Sequence, residues 1–129
     1  MAEALHKRIL VVDDEEPIRT VCARMLERAG YAVETANSGD DALVLVEHHF
    51  FDLVLTDYRM PGLLNGVELG QAVRKQSPKT FLILMTAYPA IDTAVETLRM
   101  GANDYLIKPF DNAELLWCVQ SCFNKRAAA

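Results

Sequence analysis

The stretch Leu53-Val54-Leu55-Thr56-Asp57 narrows the choice of fold more than any other part of the chain. Its apolar residues stand side by side instead of alternating with polar ones. A strand with one face in water alternates, whereas an uninterrupted run fits a strand covered on both faces, as in a parallel sheet between helix layers. The run ends on a carboxylate, and Pro61-Gly62 supplies a turn soon after. Ligands of open α/β sheets bind beyond the carboxyl ends of the strands. Asp57 therefore stands either at such a site or merely at the start of a turn.

The rest of the chain repeats the pattern. Ile9–Val12 is a short apolar run that stops on Asp13-Asp14, Phe81–Met85 stops on Thr86-Ala87, and Asp104–Ile107 stops on Lys108-Pro109. Tyr31–Ala36 reads as a more polar strand. Helical periodicity fills the gaps. Ile18, Val21, Cys22, Met25 and Leu26 recur at the spacing of one helix face, after Glu15-Glu16-Pro17 and before a stop at Gly30. Ala42, Leu45, Val46 and His49 mark a second helix, and a third runs from about Val67 to Gln76. Ile91, Ala94, Val95 and Leu98 mark a fourth, stopped by Gly101. Asp111 and Glu114 form a capping box before the fifth, whose inner face is Leu115, Leu116, Val119, Cys122 and Phe123. Five strands alternating with five helices imply an α/β doubly wound parallel sheet covered on both faces.

With 129 residues the chain reads as a single domain with its core at about 8–125. No run approaches the roughly 18 apolar residues of a membrane span, and Met1–Arg8 lacks the apolar centre of a secretory signal. The expected setting is the cytoplasm, without a membrane partner. A net charge of −5 argues against direct contact with nucleic acid, and Lys125-Arg126 is too small a basic cluster to change that. Cys22, Cys118 and Cys122 are odd in number and sit in apolar helical stripes, so buried thiols are expected instead of disulfides. Cys118 and Cys122 lack further Cys or His at metal-ligand spacing, and His6, His48 and His49 read as surface residues.

In a parallel sheet the carboxyl ends of all strands share one edge. Here that edge carries Asp13 and Asp14, Asp57, Thr86 and Lys108. Singly, the acids and Thr86 could be helix caps and Lys108 a solvated amine; together they point to a site. Adjacent carboxylates raise one another's pKa unless a cation intervenes. Oxygen ligands without Cys or His suit Mg²⁺. Three carboxylates, a divalent ion and one ammonium sum to zero charge, a setting that can accept a phosphoryl group on a carboxylate.

With these residues in place, the chain resembles a receiver domain of a two-component response regulator. Val11-Val12-Asp13-Asp14-Glu15, Asp57 with Met60-Pro61, Met85-Thr86-Ala87 and Tyr105-Leu106-Ile107-Lys108-Pro109-Phe110 carry the resemblance over nearly the whole chain. It implies a flavodoxin-like sheet of order 2-1-3-4-5. By position it implies Asp57 as phosphoacceptor. Mg²⁺ (with Mn²⁺ as the alternative ion) would lie on Asp13, Asp14, Asp57 and the backbone carbonyl of Arg59, with Asp13 also able to act through water. Lys108 and Thr86 would stabilise the phosphoryl group, Thr86 and Tyr105 would act as the switch pair, and Lys108-Pro109 would be cis. A sensor histidine kinase would donate the phosphoryl group, docking on the first helix near Arg19 and Arg24. Phosphorylation would reset the face made by the fourth helix, fifth strand and fifth helix, which would act on an output domain, a downstream protein or a second copy of the chain. Such a domain catalyses only its own phosphorylation and dephosphorylation.

Three other readings fit the residues less well. A flavin-mononucleotide binder would need a Ser/Thr/Gly loop after the first strand, where this chain has Asp13-Asp14-Glu15-Glu16. A haloacid-dehalogenase-type phosphatase would need acids two apart, not adjacent. A degenerate receiver, acting only as an interaction module, would have lost the acceptor, an acid or the Lys. One departure from the receiver pattern stands out. Four residues, Gly62-Leu63-Leu64-Asn65, separate Pro61 from Gly66, where similar sequences usually have one fewer. The segment from Thr86 to Leu106 also resembles receivers joined to ATPase-type transcription activators.

Overall fold

The computed structural model describes residues 7–60, 62, 64–87 and 99–128, with side chains through 124. The expected fourth helix (Ile91, Ala94, Val95, Leu98), with Pro61, Leu63, His6 and the side chains of Lys125 and Arg126, lies outside the described residues. In chain order the elements are β1 (Arg8–Val12), α1 (Glu16–Arg28), β2 (Ala32–Ala36), α2 (Gly39–His48), β3 (Leu53–Asp57), α3 (Gly66–Gln76), β4 (Phe81–Thr86), β5 (Asp104–Ile107) and a C-terminal helix (Asn112–Ala128). The strands form one parallel sheet in the order β2-β1-β3-β4-β5, as the resemblance implied.

Successive side chains of a strand point to opposite faces, and here both faces are covered. Ile9, Val11, Leu53, Leu55, Ile83 and Met85 pack under α1 and the C-terminal helix, against Cys22, Leu26, Leu115, Val119 and Phe123. Their neighbours Leu10, Val12, Val54, Leu82 and Leu84 pack under α2 and α3, against Ala42, Val46, Val67, Leu69 and Val73. All of β3 and β4 is buried. This two-sided burial is the reason their sequences do not alternate. β2 lies at the sheet edge and is partly exposed, which accounts for its polar sequence.

Two local expectations are corrected, and the third helix agrees to within one residue. Val21 was placed on the inner face of the first helix, but it is 49% exposed. Pro17, Ile18, Val21 and Met25 instead line a groove beside Pro109 and Phe110. His49 ends α2 as its C-cap and faces solvent. Helix α3 begins at Gly66, because Asn65 caps it: Asn65 Oδ1 accepts from Glu68 N at 2.8 Å, and Glu68 Oε1 accepts from Asn65 N at 3.1 Å. Gly30, just after α1, has a φ of +101° and serves as its stop, and Gly101 before β5 has a φ of +72°. The three cysteines are free and buried.

Candidate functional site

The register of the sheet sets the site. Val12 lies level with Thr56, Asp57 with Met85, and Thr86 with Ile107. The residues that end or follow β1, β3, β4 and β5 thus meet at one edge. β1, β3 and β4 are each flanked by a strand on both sides, so the positions at their ends are fixed by the core beneath them.

Asp13 is fully buried and tightly held. Its Oδ1 accepts from Glu15 N at 2.9 Å, its Oδ2 from Lys108 Nζ at 2.7 Å, and its own N donates to Ala36 O at 3.2 Å. Asp57 is 8% exposed; its Oδ1 accepts from Tyr58 N at 2.9 Å and lies 3.3 Å from Lys108 Nζ. Asp14 is exposed at the rim. One oxygen from each of Asp13, Asp14 and Asp57 lies within 4.8 Å of the others, close enough to share one cation. Their all-oxygen donor set fits a hard divalent ion such as Mg²⁺, which receiver domains bind at such an acidic cluster.

The electrostatics show what the crowding does. Burial and the neighbouring Asp13 push Asp57 up from the usual 3.8 to about 6, although Lys108 and the Tyr58 amide pull the other way. Burial opposes the charge on Lys108, yet its hydrogen bond to Asp13 and the charge of Asp57 outweigh that, and its pKa is raised. Lys108 is thus held as a cation between two carboxylates. Cys22, under the same edge, is pushed up to about 11 by burial and by Asp13, so it stays a neutral thiol.

Thr86 is 1% exposed at the end of β4, and its carbonyl accepts from Lys108 N at 2.7 Å. Asp14, Glu15, Asp57, Arg59, Thr86 and Lys108 line an open cleft of about 300 Å³ together with Tyr58 and Ala87. The Lys108-Pro109 peptide bond is cis. Tyr105, on β5, does not join the cleft: it is 44% exposed on the outer surface. On the first helix, Arg19 Nη1 donates to Asp13 O at 2.8 Å and braces the loop after β1. Arg24 is exposed.

Two residues that support the acceptor carry little sequence signal. Thr56, fully buried, donates its hydroxyl to Asp57 O at 3.1 Å. Gly66 lies so close to the chain that a Cβ there would come 2.1 Å from Asp57 O, and its N donates to Tyr58 O at 3.0 Å. The position of Gly66 shortly after the acceptor is the one clue to that close approach.

A five-stranded 2-1-3-4-5 sheet with an acidic cluster and a lysine at its carboxyl edge defines a phosphorylation-type switch domain. The chain belongs to the response regulator receiver domain family, whose model matches residues 9–120. It is 44% identical over 113 residues to the regulatory protein AtoC of Escherichia coli, covering 88% of this chain and 24% of AtoC. Over 103 residues it is 46% identical to the transcriptional regulatory protein ZraR of Klebsiella oxytoca, covering 80% of this chain and 23% of ZraR. The chain therefore spans about a quarter of the length of these relatives. Among solved structures, a CheY-like receiver domain protein from Methanospirillum hungatei superposes with a TM-score of 0.90 at 33% identity, covering 95% of this chain and 97% of the other. The response regulator TrrA of Thermotoga maritima, solved in complex with Mg²⁺-BeF, superposes with a TM-score of 0.81 at 36% identity, covering 89% and 97%. The domain is thus a signalling receiver, and the degenerate reading is not favoured. Among the described residues no helix is long and apolar enough to cross a membrane. The name of ZraR as a transcriptional regulatory protein lends no support to the expectation that nucleic acid plays no part.

Proposed function

We propose that Asp57 accepts a phosphoryl group from the phosphohistidine of a cytoplasmic sensor kinase, and that the modified domain resets an output. The observation that carries this reading is the convergence of Asp13, Asp14 and Asp57 within 4.8 Å, with Lys108 bridging Asp13 and Asp57. A carboxylate oxygen of Asp57 forms the new P–O bond as the donor's P–N bond breaks and its electron pair returns to the imidazole. Asp13, Asp14, Asp57 and the Arg59 carbonyl would hold Mg²⁺, Asp13 through water or directly; Mn²⁺ has the same preference for oxygen. When bound, the ion offsets negative charge on the phosphoryl oxygens. TrrA, solved with Mg²⁺-BeF, supports that assignment by likeness. Lys108 would exchange part of its contact with Asp57 for a phosphoryl oxygen, and the Thr86 hydroxyl would turn toward another.

The signal would leave through β5 and the C-terminal helix. Tyr105, Ile107 and Trp117 are 44%, 44% and 68% exposed there, more apolar surface than a free face needs. Tyr105, Ala113, Glu114 and Trp117 also line a groove of about 450 Å³. Inward movement of Thr86 and Tyr105 would change that face, shifting the population between two packings. The receiving surface would belong to an output domain, a downstream protein or a second copy. The relatives' names suggest transcription control, with any contact to nucleic acid made outside this chain.

Intact mass after incubation with acetyl phosphate tests the chemistry. The unaltered protein should gain one phosphoryl mass only with Mg²⁺ present, and Asp57→Asn should gain none. Equal gain by the variant, or no gain by the unaltered protein, would overturn the assignment.

A further inference from the structure

Between β3 and α3, Gly62 and Leu64 are seated on the first turn of α2. Leu64 N donates to Asp40 Oδ1 at 3.1 Å, joining the loop to a helix 24 positions earlier in the chain. The other carboxylate oxygen faces Gly62, where an added Cβ would lie 3.6 Å from Oδ2; Gly62 itself has a φ of +106°. Beside Asp40, Gly39 leaves room for the same loop, since a Cβ on it would come 2.7 Å from Leu64 O and 2.8 Å from Leu64 Cβ. The turn of α2 is itself fixed, with Ser38 Oγ accepting from Asp41 N at 3.1 Å.

The loop is thereby tied at two places. Gly66 fastens its far end to the Asp57–Tyr58 backbone, and Gly39-Asp40 fasten its middle to α2. Arg59, whose carbonyl is the backbone ligand in the functional reading above, lies in the span between. The conformational freedom of the chain between these ties has to be removed if the carbonyl is to stay in place. We propose that Gly39 and Asp40 form a platform that positions the loop after β3, making Asp40 a positioning residue for Mg²⁺ and hence for phosphorylation. The proposal rests on the reading of Asp57 and Arg59 as the metal-binding acceptor loop. It also makes α2 part of the acceptor machinery.

Two readouts test it on the whole chain: hydrogen exchange of the Leu64 amide without metal, and Mg²⁺ affinity by calorimetry. Asp40→Ala should expose the Leu64 amide to faster exchange and weaken Mg²⁺ binding roughly tenfold, the scale seen when groups that orient metal ligands are removed. Gly39→Ala, which leaves Asp40 in place but crowds Leu64, should act in the same direction. Asp40→Asn keeps an acceptor oxygen without the charge and should restore both readouts. The proposal is overturned if both alanine variants match the parent, or if Asp40→Asn is as weak as Asp40→Ala, since charge at a distance would then be the cause. A parent that binds no Mg²⁺ would instead sink the functional reading beneath it, and the two failures are told apart by that control.

Discussion

The two ends of the sheet treat buried polar groups in opposite ways. At the amino end they act as stitching. Thr80, 2% exposed, donates to Phe51 O at 2.7 Å and lies 2.6 Å from Ser77 Oγ. Asp52 Oδ2 accepts from Arg8 N at 2.8 Å, and Asn103 Oδ1 from Leu82 N at 2.9 Å. Arg74 donates to the carbonyls of Pro78, Thr80 and Gly101, joining α3 to the turns before β4 and β5. Each group finds a neutral or opposite partner. At the carboxyl end, two buried carboxylates share one lysine with a third carboxylate nearby at the rim, and Asp57 is pushed up to about 6. The same scaffold thus holds one end relaxed and the other short of positive charge. A divalent cation supplies what the carboxyl end lacks, whereas the amino end lacks nothing.

Substitutions at the amino end should therefore cost stability and leave chemistry alone. Arg74→Ala carries the largest expected effect, since it strands three carbonyl acceptors at once. A loss of about 2 kcal/mol is expected from several partly exposed charged hydrogen bonds, read by urea denaturation. Phosphorylation by acetyl phosphate should proceed at the parent's rate. Thr80→Val comes next, at about 1.5 kcal/mol, because it removes a buried donor from the Phe51 carbonyl and leaves that oxygen unsatisfied. A comparable loss of phosphorylation in either variant would break the division between the two ends.

How much of this could be read from sequence follows from the same contrast. β3 and β4 were legible because two-sided burial leaves an unbroken apolar run, and the acids and Lys108 were legible because they sit where such runs stop. Val21 was misplaced because periodicity gives the width of a helix's apolar face, not how far the helix is rolled against the sheet. Arg19 and Arg74 look like ordinary surface charges in sequence, and only packing aims them at carbonyls dozens of residues away or across a turn. Asn65 with Glu68 had the spacing of a capping box, but the unusual loop before it obscured the helix start. Gly39 and Asp40 read, with Asn37 and Ser38, only as a turn and cap, since their partner Leu64 belongs to a different loop.

The smallest expected effect has the opposite sign and separates the two ends most sharply. Asp57→Asn removes a buried carboxylate that burial and Asp13 disfavour, so it should stabilise the metal-free protein at pH 7. Solvent at the open cleft screens the interaction, and about 1 kcal/mol is a fair expectation after that discount. The pH dependence gives the sign independently. With a folded pKa of about 6 above the usual 3.8, the native state binds the extra proton between those values. The parent's stability from this group is present below about pH 4 and is lost as the pH rises through about 6. The gap between Asp57→Asn and parent should therefore be near zero at pH 4 and reach its full size above pH 6, measured by urea denaturation in the presence of a chelator. Saturating Mg²⁺ should reverse the order, because the ion stabilises only the protein that binds it well. A variant less stable than the parent at pH 7 without metal would mean that Lys108 already balances the cluster, and the two ends of the sheet would no longer differ.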